Sequence, residues 1–503
     1  MVSVAELSTS DSSASGLGAR ARRVLGRNRI FAAVFAVGAV LRAVTMLGYG
    51  PAMWFNDTYQ YVSVAMHPRP DVIRPSMYGL WLALLKPFSS FTLVVFLQHL
   101  MGLATAVIVY ALLKRRFGVP GWAATLAAAP VLLDAYQIQM EQLVMSDSMF
   151  TLVVTGVVAL VLWKRELTWR VGAVVGALLA LAALTRSIGL AVLGLVVVYM
   201  LIKRVGWKPI VAMVIACALP VGGYMSWFAA ANGTFAMTYS DGLILYMRTA
   251  SFADCRQMDL KIPQELDMAL LCLDAPGRKG HAQWYLWGMG RGENKVGVSG
   301  EVLHRQGSKK FDRERNDAAG RFAKRAILAQ PGDYLSVVFT DFMRSFAWQR
   351  TEFPEPKTYS QYEFRPDGYE RLPTWSTYGG GNAGADAFRY EQGPPETNVR
   401  QPWANIMAGY QDVFYLRGTL LGAILLVGLY GLVARWRRLG GPVLLPWLGA
   451  VGLLLAPAAT AEFDYRYVLP AVPLACIAAA ITLRPRSAAA SAPTSPNAAP
   501  SGR

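Results

Sequence analysis

The chain has 503 residues, of which 54% are hydrophobic and only 16% charged, and its mean hydropathy is +0.31. That combination excludes an ordinary soluble protein of this length and points to a polytopic membrane protein. The net charge of +17 sits mostly in short clusters between apolar segments, so anionic lipid headgroups are the expected partners and nucleic acid is not.

A transmembrane helix needs about 20 mostly apolar residues, and by that rule roughly ten segments approach a span. They lie near residues 30–47, 91–113, 122–133, 148–162, 171–184, 188–202, 209–228, 413–433, 442–458 and 467–483. The expected fold is an all-α polytopic bundle. A basic N-terminus over 1–29 leads into an N-terminal membrane module over 30–228, whose first external loop covers 48–90. An external, helix-containing segment follows over 229–412, then C-terminal spans over 413–483 and a tail over 484–503. Arg42 interrupts the first span and no small-residue cleavage site is present, so this span reads as a signal anchor. The basic clusters at Lys114–Arg116, Lys164–Arg170, Lys203–Lys208, Arg435–Arg438 and Arg484–Arg486 alternate onto the same side as the N-terminus. Short loops rich in Lys and Arg stay in the cytoplasm, so both chain ends are expected there. The Ser-, Ala- and Pro-rich tail cannot bury a core and is expected to be disordered.

Within the external segment, "DRERNDAAGRFAKRAILAQPGDYLSVVFTDFMRSF" carries apolar residues at helical spacing, broken at Pro331 and Gly332. It predicts two amphipathic helices at the membrane surface. The stretches "TYGGGNAGADAF" and "EQGPPETNVRQP" read as flexible loop. Cys217 and Cys476 lie in apolar segments and read as small buried hydrophobes. Cys255 and Cys272 both lie in the external segment, where a disulfide and two free thiols are open alternatives. Neither pair resembles a metal site, and His67, His99, His281 and His304 are scattered.

There is no P-loop, HExxH, GxSxG or CxxC, which removes the usual signatures of ATP hydrolysis, zinc peptidases and serine hydrolases. What remains is acids and arginines at membrane edges. Asp57, in "WFNDTYQYVSVAM", lies just outside the first span near Tyr59, Tyr61 and Arg74, where it could serve as a general base or simply cap a short helix. Glu141 and Asp147, in "MEQLVMSDSMFTL", stand where the second external loop re-enters the membrane, a costly place for a carboxylate. Arg186 and Arg466 lie at the external ends of spans and Arg42 in the outer half of the first; guanidinium groups suit phosphate, but also snorkel or pair with a nearby acid. Glu462 and Asp464 are local partners for Arg466.

Taken in order, Asp57 followed by Tyr, "RPSMYGLWLALL", "QHLMGLATAVIVYALLKRRFG", "SDSMF", "ALTR" and "RYVLPAVP" resemble the GT-C superfamily of polytopic glycosyltransferases that use a polyprenyl-phosphate sugar. The resemblance spans most of the membrane portion and is strongest over the first 190 residues. It implies a GT-C-like fold, Asp57 as the base that activates the acceptor, and Asp147 with Glu141 as second-loop acids. Arg74, Arg186, Arg466 and Tyr59 become candidates for the lipid phosphate. The implied partners are a polyprenyl-phosphate sugar donor and a glycan, lipid or protein acceptor. The site would face outward from a bacterial-type plasma membrane. The protein O-mannosyltransferase and aminoarabinose-transferase branches carry an Asp-Glu pair in the first loop, whereas Thr58 follows Asp57 here, which argues against either substrate. No metal ligand set is specified, and the participation of a divalent cation is left open. The rival reading is a transporter or lipid flippase, which would place its ionisable groups near the bilayer midplane and often repeat its halves.

Overall fold

A computed structural model describes residues 28–164, 166–261, 265–269, 271–272, 281–287 and 311–484. The basic N-terminus up to residue 27 and the tail over 485–503 lie outside the described residues. The principal helices of the N-terminal half are α1 (Arg29–Gly48), α2 (Thr58–Met66), α3 (Met77–Leu85), α4 (Phe91–Ala111), α5 (Gly121–Leu133), α6 (Ala135–Gln142), α7 (Asp147–Trp163), α8 (Trp169–Thr185), α9 (Gly189–Ile202) and α10 (Trp207–Asn232). The remainder supplies α11 (Asp241–Ala250), α12 (Ala282–Trp287), α13 (Arg313–Ala329), α14 (Pro331–Arg344), α15 (Ala383–Glu391), α16 (Trp403–Val413), α17 (Gly418–Val433), α18 (Leu444–Thr460) and α19 (Ala471–Leu483). All ten apolar segments are mainly helical, with breaks at 414–417 and 468–470. Among the described residues five stretches are long and apolar enough to cross a bilayer, α16 and α17 form a further candidate bent by 53°, and α5, α7, α8 and α9 are shorter apolar helices. At about 1.5 Å per residue, α7 still reaches about 25 Å.

The packing is that of a membrane protein. Helix α1 buries only Gly38, Arg42, Thr45 and Gly48, while Ile30, Val37, Val40 and Leu47 are exposed. Small and polar groups face the bundle and apolar ones face outward, the reverse of a soluble helix. Gly172 and Gly176 on α8 meet α10 so closely that a Cβ there would lie 2.2 and 2.1 Å from the carbonyl oxygens of Pro209 and Met213. Glycines four residues apart thus let two backbones touch, and alanine at either would push the helices apart.

Basic helix ends gather at one end of the bundle. Lys114 bonds Asn28 beside the start of α1. Arg116 Nε donates to the Leu162 carbonyl near the end of α7 at 3.1 Å, and Arg435 Nη2 to the Ile481 carbonyl near the end of α19 at 3.4 Å. At the opposite end, β1 (Tyr49–Gly50) pairs antiparallel with β2 (Asn398–Val399), Tyr49 facing Val399. This ribbon ties the first loop to the later chain.

Among the described residues the segment over 229–412 contributes to three hydrophobic clusters, the smallest of which joins Phe353 and Tyr359 to Phe463 and Tyr465. Leu243, Tyr246, Tyr285 and Phe322 build a separate cluster beneath the Cys255–Cys272 disulfide, joined by Ile73 from the first loop. Tyr362, Tyr390 and Met407 instead join the core of the membrane bundle. The expected break at Pro331 is present: α13 starts with Asp312 accepting from the Arg315 amide at 2.9 Å, and Pro331 opens α14, where its missing N–H costs nothing. Leu335, Phe339 and Met343 on α14 are exposed at helical spacing, as suits a helix lying in the membrane interface. The Gly-rich stretch expected to be loop is partly helical. Asn382 caps α15 by accepting from the Ala385 amide at 3.1 Å, Ala383 and Ala387 are buried, and the Tyr390 hydroxyl donates to the Leu82 carbonyl at 2.9 Å. Gly379, Gly380 and Gly381 precede this helix and Gly384 stands in its first turn, and the second stretch read as loop contains β2.

Candidate active site between the membrane helices and the external segment

Asp57 stands immediately before α2, in a turn closed by the Thr58 hydroxyl accepting from the Phe55 amide at 3.1 Å. The Asp57 side chain makes no capping bond. Its carboxylate is spent on two arginines instead. Arg74 Nη2 donates to Oδ1 at 2.5 Å and Arg466 Nη1 to Oδ2 at 2.6 Å. Asp57 is only 8% exposed. Burial pushes its carboxyl up, but the charges of Arg466 and Arg74 outweigh this and hold it down at about 2.

Arg466 is delivered by the single turn Tyr465–Tyr467, which Asp464 caps. Asp464 Oδ2 lies 3.2 Å from Arg466 Nε, and Asp464 Oδ1 accepts from the Tyr362 hydroxyl at 2.6 Å. The Arg466 guanidinium lies 5.0 Å from the Phe55 ring and 5.1 Å from the Tyr467 ring. Arg186, at the end of α8, lies 5.2 Å from that same Tyr467 ring and pairs with Asp147 at the start of α7. Asp147 Oδ2 is buried without a hydrogen-bond partner among the described residues.

These groups border a cavity of about 1860 Å³. Asp57, Arg74, Arg186, Arg466 and, beyond the sequence expectations, Tyr467 line it. One wall is apolar and comes from the membrane helices, with Phe150, Ile188, Leu453, Pro457 and Pro470; the other comes from the external segment. The cluster lies at the end of the bundle opposite the basic helix ends, because α7 runs from Asp147 to the Arg116 contact and α8 ends at Arg186.

Two of the residues named from sequence stand elsewhere. Glu141 is fully buried and does not line the cavity. It accepts from Arg42 at 2.7 and 2.8 Å, from Gln137 at 2.9 Å and lies 2.9 Å from His99 Nδ1. Tyr59 does not line the cavity either: its ring stacks on Trp54 at 5.5 Å and meets the edge of Trp375 at 5.4 Å. Asp147 joins the site indirectly, behind Arg186. Asp464 and Tyr467 were two residues and one residue from Arg466 in the sequence, and that adjacency was the only signal for them. Glu462, the other suggested partner, instead accepts from the Ala282 and Gln283 amides at 2.9 and 3.1 Å.

No group of three or more His, Cys, Asp or Glu side chains is placed to hold a metal ion among the described residues. Asp57, Asp147 and Asp464 each lie against a guanidinium group.

Fold and site define a polytopic α-helical membrane protein with an arginine–carboxylate cavity at one end of its bundle. No protein-family model and no curated protein matches the chain. Among solved structures it is similar to the oligosaccharyltransferase of Archaeoglobus fulgidus in its apo form, at 11% identity and a TM-score of 0.37, over 90% of this chain and 50% of that one. It is similar to the AglB oligosaccharyltransferase of the same organism in complex with an inhibitory peptide and a dolichol-phosphate, at 12% identity and a TM-score of 0.38, over 90% and 50%. ArnT from Cupriavidus metallidurans bound to undecaprenyl phosphate matches at 12% identity and a TM-score of 0.34, over 91% and 77%. The chain spans about half the length of the oligosaccharyltransferases it matches.

Proposed function

We propose that this chain is a GT-C-type glycosyltransferase that moves a sugar from a polyprenyl-phosphate donor to an acceptor on the outer face of the membrane. The observation that carries this reading is the Asp57 carboxylate, held between Arg74 and Arg466 in a cavity with one apolar, membrane-side wall. An outward-facing site follows if the basic helix ends are cytoplasmic, as the distribution of Lys and Arg favours.

The chemistry follows from the residues. The lipid tail lies along Phe150, Ile188, Leu453, Pro457 and Pro470, and its phosphate meets Arg186 and Arg466. Guanidinium groups suit phosphate oxygens and offset the charge that builds on the leaving group. Asp57 accepts the proton of the acceptor hydroxyl as that oxygen bonds to the anomeric carbon. The bond from the anomeric carbon to the phosphate oxygen breaks with its electron pair leaving on the polyprenyl phosphate, and a single displacement inverts the centre. With its carboxyl at about 2, Asp57 is a weak base before the donor binds. A donor phosphate competing for Arg466 takes positive charge away from Asp57 and makes it a stronger base when the acceptor is present.

The test is a panel of radiolabelled polyprenyl-phosphate sugars offered to the full chain in lipid nanodiscs with membrane-derived acceptors. The reading predicts release of polyprenyl phosphate from one donor and movement of label to an acceptor. Folded protein that neither binds nor turns over any donor overturns it.

A further inference from the structure

We propose that the external wall of the cavity is a subsite for a neutral saccharide acceptor. This deepens the glycosyl-transfer reading of the same cavity and rests on it. Once the lipid tail and phosphate are assigned to the membrane side, the other wall remains to be explained. It is built by α11, α12, α13 and the chain near residues 355–358 and 375–378.

Trp284, Trp287, Trp375 and Tyr378 all line that wall. Their rings are fixed from behind. Trp375 is 41% exposed and rests edge-on against Tyr59, which stacks on Trp54. Trp287 lies 5.6 Å from Phe311, which meets Tyr378 edge-on at 5.1 Å. Rigid aromatic faces offer broad contact area at little entropic cost. A sugar ring, with one face of C–H groups and a rim of hydroxyls, can use such faces together with planar polar groups at their edges. Gln283 supplies such a group on the same wall, and the Trp284 indole N–H is buried without an acceptor among the described residues.

Charge narrows the class. Asp241, Asp317 and Glu355 on this wall are matched by Arg321, Lys324 and Lys357. Such a balance favours neither a polyanion nor a polycation and suits an uncharged, hydroxyl-rich ligand. Size agrees: a drug-sized ligand occupies about 300–1,000 Å³, so a cavity of about 1860 Å³ has room for a donor headgroup and more than one acceptor ring. An extended peptide is commonly held by a free strand edge, whereas the external wall sets aromatic rings and polar groups beside Ile244, Leu245, Met247 and Leu286.

The experiment uses the full chain in nanodiscs and neutral tetrasaccharides of mannose, glucose, galactose and arabinose as probes. Binding is followed without donor by tryptophan fluorescence and by saturation-transfer NMR, and transfer is followed with the radiolabelled donor. One tetrasaccharide should bind saturably and accept label, and Trp375→Ala and Trp287→Ala should each weaken its binding at least tenfold and lower the ratio of transfer to donor hydrolysis. Trp375→Phe should recover part of the loss, which separates ring contact from misfolding. No saturable binding of any tetrasaccharide, or transfer only to a dodecyl glycoside or to a peptide, overturns the subsite. Donor turnover by the wild-type protein without saccharide binding would defeat only this inference, whereas the absence of all donor turnover would defeat the glycosyl-transfer reading itself.

Discussion

The Arg42–Glu141–His99 cluster and the Asp57–Arg74–Arg466 cluster use the same chemistry, a buried carboxylate answered by cationic side chains, yet their surroundings differ. Each oxygen of Glu141 has two neighbours at hydrogen-bond distance. Arg42 fills its remaining capacity on the carbonyls of Gly38, Leu132 and Val131 at 3.0, 2.8 and 3.0 Å. The absence of a side chain at Gly102 makes room, since a Cβ there would lie 1.8 Å from Glu141 Oε1. Asp57 receives one hydrogen bond on each oxygen and opens onto the cavity. A saturated buried pair holds helices in register, whereas an unsaturated one beside a cavity can exchange partners with a ligand. The difference lies in spare valence and access rather than in residue type.

This contrast can be broken most directly at Asp57. Asp57→Asn removes the base but keeps the shape, and transfer should fall by about 10²–10⁴-fold with donor binding retained, as read by single-turnover kinetics and donor titration. Glu141→Gln should do the opposite. It leaves Arg42 without its counter-charge and should destabilise the protein by about 3–5 kcal/mol, measured by unfolding in detergent, while folded enzyme keeps most of its turnover. If folded Glu141→Gln protein loses activity as fully as Asp57→Asn, the distinction between the clusters fails.

Smaller effects sharpen it. Arg186→Lys keeps the charge but loses the planar fork, and the donor KM should rise about tenfold, the equivalent of about 1.4 kcal/mol; an unchanged KM would remove Arg186 from the donor phosphate. The pH dependence should be slightest. Asp57 is depressed from 3.8 to about 2, so in that interval the unfolded chain binds more protons than the folded one. The stabilisation from this group is therefore full above about 4 and lost as the pH falls towards 2, roughly 2 kcal/mol in all. Accordingly kcat/KM, which reports the free enzyme, should show no acid limb from Asp57 between pH 7 and 4.

The spans were legible because a run of apolar side chains long enough for a bilayer leaves little alternative to a helix. The break at Pro331 was legible because proline suits a first helical turn and disrupts an interior one. Asp57, Arg74, Arg186 and Arg466 stood out as charges at membrane edges. What the pattern did not carry is which buried charge has spare valence: Glu141 looked equivalent to Asp147 until His99 and Gln137 were brought beside it by the fold. Tyr59 pointed away because Trp375, more than 300 positions later in the chain, packs on its ring. Helix α15 was hidden because three glycines and an asparagine come before it, and composition alone does not separate a cap from a loop. The aromatic wall was unreadable for the same reason as Tyr59, since its parts come from distant stretches.

The most direct test is single-turnover transfer of radiolabelled sugar by the wild-type chain, Asp57→Asn and Glu141→Gln, each in nanodiscs and normalised to folded, donor-binding protein. The prediction is near-wild-type turnover for Glu141→Gln and a loss of at least a hundredfold for Asp57→Asn. Turnover in Asp57→Asn within a few-fold of wild type would contradict the role given to Asp57 and, with it, the account of this cavity as the site of glycosyl transfer.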